Sequence, residues 1–293
     1  MSAAALALVL AAAVCHAGWN LALKKARGNG LAFFAVLGIL EVAVWSIPVA
    51  LLTPDIGDFS PEWLVAMAVS AAIHMAYFLL LLKAYKSADL SLAYPLARAT
   101  GPLLSVLAAI IFLGESPSGI ALVGALLIIA GSTWIGLSGA RVSGIGQSQL
   151  KGIAFAVLCG MMIAAYTVWD QQSVTRFAIP VLIFYWGSIL MRIAMASPAL
   201  WTERHTISTW FWHDLRVLLV VAVLAPLAYI LVLVAMTLAP LSLVAPAREI
   251  SILLGVIAGA KLLQEGQMLS RLGAATMMVA GIVLLSVGDR LFS

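Results

Sequence analysis

The chain has 293 residues, 64% of them hydrophobic and only 10% charged, with a formal net charge of +4. A soluble domain of this length could not cover its surface with so few charges, whereas lipid accepts Leu, Val and Ala facing outward, so a soluble enzyme or binding module is excluded. The basic excess does not point to nucleic acid, because Lys and Arg stand singly or in pairs between apolar runs, where they act as topology signals.

Crossing about 30 Å of hydrocarbon at 1.5 Å per residue takes roughly 20 apolar residues in a helix. Ten such runs follow one another, at 2–23, 30–52, 62–82, 91–113, 118–138, 151–170, 178–198, 215–238, 242–261 and 269–288. They use nearly the whole chain, so the sequence predicts an all-α polytopic membrane protein without a separate soluble domain. The first run has no basic segment before it and reads as a spanning helix rather than a cleaved signal peptide. Residues 139–150, rich in Gly and Ser, read as a linker. Trp201, Trp210 and Trp212 stand beside Arg204, His205 and Arg216, which predicts an amphipathic stretch at the membrane–water interface. Cys15 and Cys159 fall inside apolar helices and read as small core residues, not as a disulfide.

Loop charge is lopsided. One side receives Lys24, Lys25, Arg27, Lys83, Lys86, Arg141, Lys151, Arg204, Arg216, Lys261 and Arg271; the other receives Arg176 and Arg290 with Asp55, Asp58, Glu62 and Glu115. The positive-inside rule puts the first side in the cytoplasm and both termini outside.

The two halves repeat at an offset near 150. Leu90-Ser91-Leu92-Ala93-Tyr94-Pro95 corresponds to Leu241-Ser242-Leu243-Val244-Ala245-Pro246, Arg98 to Arg248, Glu115 to Glu265, Ile129-Ala130-Gly131 to Val279-Ala280-Gly281, and Trp19-Asn20 to Trp169-Asp170. The division is 1–140 for the first unit, 141–150 for the linker and 151–293 for the second. Five helices per unit is an odd number, so the second unit must cross in the opposite sense. Such inverted repeats let two copies exchange conformations and so alternate access to a site near the midplane. The matched prolines Pro95 and Pro246 are the expected hinges, since each lacks an N–H and loosens its helix.

The block Leu90–Gly131, His16-Ala17-Gly18-Trp19-Asn20 with Lys24, and Ala245-Pro246-Ala247-Arg248-Glu249-Ile250-Ser251 with Glu265 resemble the EamA family of the drug/metabolite transporter superfamily. The resemblance implies ten helices around a central cavity, an efflux function in a bacterial inner membrane, and substrates among amino acids, including aromatic ones, or other metabolites. It also implies cytoplasmic termini, opposite to the loop charge.

Ionisable groups in hydrocarbon cost at least about 2.5–3.5 kcal/mol on insertion scales and therefore need a partner or a wet cavity. Arg98 and Arg248 occupy equivalent positions, and a guanidinium holds a carboxylate bidentately, as an amino-acid substrate would require. Either arginine could instead pair permanently with Glu41 or Glu249. His16, Glu41, His74 and Glu249 are candidates for a coupling proton or for ion pairs. Trp19, His74, Tyr77, Tyr94, Tyr166, Trp169 and Tyr229 are the expected walls for an apolar or aromatic side chain. Met75, Met161 and Met162 would add an adaptable surface.

These readings lead to an amino-acid exporter, with the lipid bilayer and the small solute as its partners and no cofactor or metal. Export of another metabolite or of a drug-like cation is the alternative; a cation would want Glu41 and Glu249 as cavity carboxylates. A membrane enzyme or sensor fits less well, because neither H-E-x-x-H nor G-x-S-x-G occurs. No oligomeric state follows from the sequence, and a monomer is compatible with it.

Overall fold

The computed structural model describes residues 1–53, 59–88, 90–137, 147–254 and 268–288; the side chains at 90–92, 94, 95, 136 and 268–272 lie outside that description. Its elements are α1 (Ala3–Leu23), α2 (Gly30–Leu52), α3 (Pro61–Ser87), α4 (Leu90–Leu113), α5 (Gly119–Leu137), α6 (Gln147–Thr175), α7 (Val181–Thr202), α8 (Arg204–Leu238), α9 (Leu241–Ala247) and α10 (Met268–Gly288). No strand occurs among the described residues. Seven of these helices, α1 to α4 and α6 to α8, are long and apolar enough to cross a membrane, and α5 and α10 contain shorter apolar stretches.

Local chemistry explains the helix ends and their tolerance of polar residues. Ser2 caps α1 by accepting from Ala5 N–H at 3.2 Å, and Ser60 caps α3, where Pro61 needs no partner for its nitrogen. Within the helices, Thr100, Ser105, Thr167 and Ser188 donate their hydroxyls to carbonyls four residues back, so these side chains bring no unsatisfied group into an apolar medium.

Two elements depart from the sequence reading. The expected interfacial stretch before residue 215 is the opening of α8, which starts at Arg204. Trp201 and Trp212 there are exposed as expected, but Trp210 packs on Phe33 at 5.3 Å between ring centres. Beside it the buried Asp214 carboxylate accepts from Arg27 N–H and Gly28 N–H, both at 2.8 Å, and so ties the α1–α2 loop to α8.

The second departure lies at the predicted run 242–261, which is broken. Helix α9 ends at Ala247, a turn follows at Arg248 and Glu249, and helical backbone resumes at 250–254. Pro246 lies within α9 just before the turn, and its missing N–H leaves the Ser242 carbonyl without its helical partner. Glu249, Ser251 and Ile252 then donate to carbonyls only three residues back, at 3.0, 3.2 and 2.9 Å. Every residue of α9 is buried, so the irregular backbone is enclosed by protein. Residues 255–267, with Lys261 and Glu265, lie outside the described residues.

Helix α9 is capped from the first half of the chain. Gly114, at φ 69°, turns the chain after α4, and the Glu115 carboxylate accepts from Leu241 N–H at 2.8 Å and Ser242 N–H at 2.9 Å. The carboxylate satisfies two of the orphan donors at the start of the helix and lies at its positive end.

The packing has a regular plan. Helix α1 packs on α8 and α3 on α6, while α2 packs on α7, α4 on α9 and α5 on α10. Exchanging each helix with the one five places away returns these five pairs, but α4 also packs closely on α6, whose exchange image, α9 on α1, is slight among the described residues. At the α5–α10 crossing the backbones touch: a Cβ on Gly124 would lie 2.7 Å from the Gly281 carbonyl, and one on Gly131 would lie 2.8 Å from the Ala274 carbonyl. A shift of 150 carries Gly124 to Ala274 and Gly131 to Gly281, so each contact is the repeat image of the other.

Candidate functional site

A cavity of about 550 Å³ opens inside the helix assembly, within the range typical of small-molecule sites. Its lining runs from the helix midpoints to the α1–α2 loop at Ala26, Gly28 and Asn29. In the other direction the space is filled by packed apolar side chains, among them Met67, Phe184, Val232, Met236 and Leu243. The lining thus reaches the α1–α2 loop, next to Lys24, Lys25 and Arg27.

Of the predicted site residues, His16, Trp19, Glu41, His74, Tyr77, Arg98, Tyr166, Tyr229 and Arg248 line this cavity. His16 and Trp19 meet edge to face at 4.9 Å on α1. His74 of α3 stacks on Tyr166 of α6 at 4.1 Å, and Tyr229 of α8 closes the cluster against both. These residues are more than 50 positions apart in sequence, and the α3–α6 and α6–α8 contacts bring them into one aromatic wall.

Other predicted residues lie elsewhere. Trp169 is not in the cavity: its indole N–H donates to the Ala66 carbonyl at 2.9 Å and its ring meets Phe177, which makes it a packing residue between α3 and α6. Its repeat counterpart Trp19 does face the cavity. Met75, Met161 and Met162 do not line the cavity, and Met161 is exposed on the outer surface. Pro246 is buried in α9, one residue before its end. Pro95 falls within α4, and its side chain, like that of Tyr94, lies outside the described residues.

The two matched arginines have different partners. Arg98 forms an ion pair with Glu249 at 3.3 Å, with both side chains largely buried. Glu249 therefore turns away from the large cavity toward α4. Arg248, its neighbour in the turn, enters the cavity and places its guanidinium 5.8 Å from the centre of the Tyr229 ring. The break after Ala247 is what lets adjacent residues point to different sites. Among the described residues no carboxylate lies within ion-pair distance of Arg248.

Among the cavity-region residues outside the sequence-predicted set are Arg192, Tyr185 and Asp170. Arg192 of α7 lines the cavity over the Tyr185 ring at 5.7 Å, and both face the Glu41 carboxyl. Asp170 of α6, 1% exposed, lies behind the aromatic wall and accepts the Tyr229 hydroxyl at 2.6 Å. Arg192 and Asp170 sit inside apolar runs, and the cost of an ionisable group in hydrocarbon is the signal that could have found them. Asp170 also stood in the repeat opposite Asn20. Among the described residues no group of three or more His, Cys, Asp or Glu is arranged to hold a metal.

Comparison with curated proteins returns no match. Among solved structures that superpose on the chain, one crystal structure of a protein covers 100% of this chain and 100% of its own at a TM-score of 0.77 and 19% identity, which shows a shared fold. The apolar helices make this a multi-pass membrane protein, and its residues 3–137 match the EamA-like transporter family.

Proposed function

We propose that the protein is an exporter of amino acids, including neutral and aromatic ones, that works by alternating access between two inverted five-helix units in a bacterial inner membrane. The carrying observation is Arg248, a cavity guanidinium with no carboxylate within ion-pair distance among the described residues, set against a wall of tyrosines in about 550 Å³. A solute carboxylate would take the bidentate face of Arg248, and its side chain would lie along Tyr229, Tyr166 and His74. Glu41, opposite in charge and on the same cavity, is the natural partner for an ammonium group.

Supporting the two-unit reading are the helix pairs that map onto themselves under an exchange of five places and the reciprocal glycine contacts between α5 and α10. A broken helix at the solute site supports transport, because irregular backbone at membrane depth is tolerated where it lines a cavity. Export of drug-like cations fits less well. Of the two carboxylates such a solute would want, Glu249 is already paired with Arg98, leaving Glu41 on the cavity.

The test is transport by the purified protein in vesicles against a broad panel of labelled amino acids. We expect movement of several neutral or aromatic ones and none of simple organic cations. Hydrogen bonds to charged groups contribute about 1.5–3 kcal/mol each, so Arg248→Ala should reduce transport by roughly 10–100-fold. Arg248→Lys should recover only part, because it keeps the charge without the fork. A wild-type protein that moves no amino acid on the panel rules the reading out.

A further inference from the structure

We propose that Asp170, His74 and Tyr229 form a one-proton binding site behind the solute cavity, and that this proton exchanges against the exported solute. The argument begins with the tautomer of His74. Its Nδ1 lies 2.9 Å from the Ser70 carbonyl, an acceptor only, so Nδ1 must carry a hydrogen and donate it. In a neutral ring Nε2 is then a lone pair. That lone pair faces Asp170 Oδ2 at 3.9 Å, and a carboxylate is also an acceptor. Two acceptors face each other with no donor between them, and one added proton resolves the conflict, whether it rests on the imidazole or on the carboxyl.

The surroundings suit a site that holds and releases a single proton. Asp170 Oδ2 accepts the Tyr229 hydroxyl at 2.6 Å, and the Ser70 hydroxyl also faces the buried carboxyl. The groups facing the carboxyl come from each helix around it: Ser70 and His74 from α3, Tyr229 from α8, Arg192 from α7 and Arg248 from the turn after α9. Arg98 of α4, the remaining helix packed on α6, is bound to Glu249, and Tyr166 of α6 stacks on the outer face of the imidazole. No Arg or Lys comes within ion-pair distance of Asp170 among the described residues, so nothing permanently neutralises its charge.

The position explains coupling. His74 and Tyr229 line the cavity and Asp170 does not, so a proton reaches the carboxyl through the two residues that also form the solute's aromatic wall. Tyr229 is the shared element: its hydroxyl is given to Asp170 and its ring lies under the Arg248 guanidinium. Protonation of Asp170 weakens it as an acceptor for the Tyr229 hydroxyl and loosens the ring that backs Arg248. Solute on Arg248 and proton on Asp170 thus act on opposite sides of one tyrosine, which is a means of making occupancy of one site disfavour the other. The coupling rests on the export reading above, whereas the proton site stands without it.

The test has two arms. The first uses purified protein in detergent with no solute, and records infrared difference spectra between acid and neutral pH. We expect a protonated-carboxyl band that Asp170→Asn removes and that Tyr229→Phe displaces by withdrawing its hydrogen-bond donor. Spectra in which Asp170→Asn keeps every band of the wild type overturn the proposal. If that variant does not elute as a folded species, Tyr229→Phe decides, and an undisplaced band overturns it.

The second arm uses vesicles and the amino acids found to move. A pH difference of one unit corresponds to about 1.4 kcal/mol and should drive up to ~tenfold accumulation by one-for-one exchange. Asp170→Asn should show about onefold while still exchanging labelled for unlabelled solute at equal pH. Accumulation by that variant equal to wild type overturns the coupling. A wild-type protein that moves no amino acid defeats the export reading instead, and the infrared arm alone then judges the proton site.

Discussion

At the scale of single residues, Arg98 and Arg248 both line the cavity, but their partners differ. Arg98 is paired with Glu249, whereas Arg248 lies over the Tyr229 ring, because Glu249 follows one of them and can reach back to the other. Removing one partner of a buried ion pair leaves an uncompensated charge and costs about 3–5 kcal/mol. Arg98→Ala should therefore lower thermal stability in detergent markedly, and adding Glu249→Gln should restore much of the loss. A loss that the second change leaves untouched would show that the pair is not what holds α4 to the turn. The two tryptophans of the repeat diverge in the same way. Trp19 faces the cavity and Trp169 bonds to a carbonyl of α3. Residue type and spacing were identical for the two, and only the neighbours decide which indole is spent on packing.

At the scale of elements, the broken ninth segment brings Arg248 and Ser251 to the cavity. The sequence pointed to it through Pro246, but 242–261 reads as one apolar run, and nothing in its hydrophobicity reveals a stop at Ala247. The stop also requires a cap, which comes from Glu115 at a separation of 126 residues. Losing a side-chain cap costs about 0.5–2 kcal/mol, so Glu115→Ala should lower the melting temperature modestly. It should also expose a cysteine placed at Ser242 to a water-soluble thiol reagent faster than in the parent protein. Equal labelling rates would deny Glu115 a role in holding α9. The α1–α2 loop shows the same economy at the mouth of the cavity, where one buried Asp214 carboxylate satisfies two loop N–H groups.

At the scale of the whole molecule, the repeat makes predictions that no single contact makes. The α5–α10 crossing brings backbone against backbone, and forcing bulk into such a contact costs about 1–3 kcal/mol. Gly124→Leu and Gly281→Leu should both destabilise the protein. Gly131→Leu, the repeat image of Gly281→Leu, should match the latter in melting temperature, and a large difference between the two would argue against equivalent halves. Loop charge further predicts that the mouth at Ala26–Asn29 faces the cytoplasm and the C-terminus does not. A C-terminal fusion should then be active with a periplasmic reporter and silent with a cytoplasmic one; the reverse would turn the cavity to the outside.

What the sequence determined by itself is the part governed by the solvent. The all-helical class and the order of the apolar runs are written in composition and spacing, because lipid demands a continuous apolar surface and satisfied backbone wherever a helix meets it; of the ten expected runs, seven form helices of spanning length among the described residues. Part of the cavity wall was legible as well, since His74, Arg98 and Arg248 are costly in hydrocarbon and need a cause, and Tyr229 was expected as an aromatic wall. Partnership was decided only by the tertiary structure. Whether Arg98 meets Glu249, whether Trp169 faces solute or carbonyl, and whether Asp170 finds a tyrosine and a histidine all depend on contacts between helices far apart in the chain. Those contacts are set by close packing at glycines and by one proline break, and a pattern read along a single helix carries no record of what lies across from it.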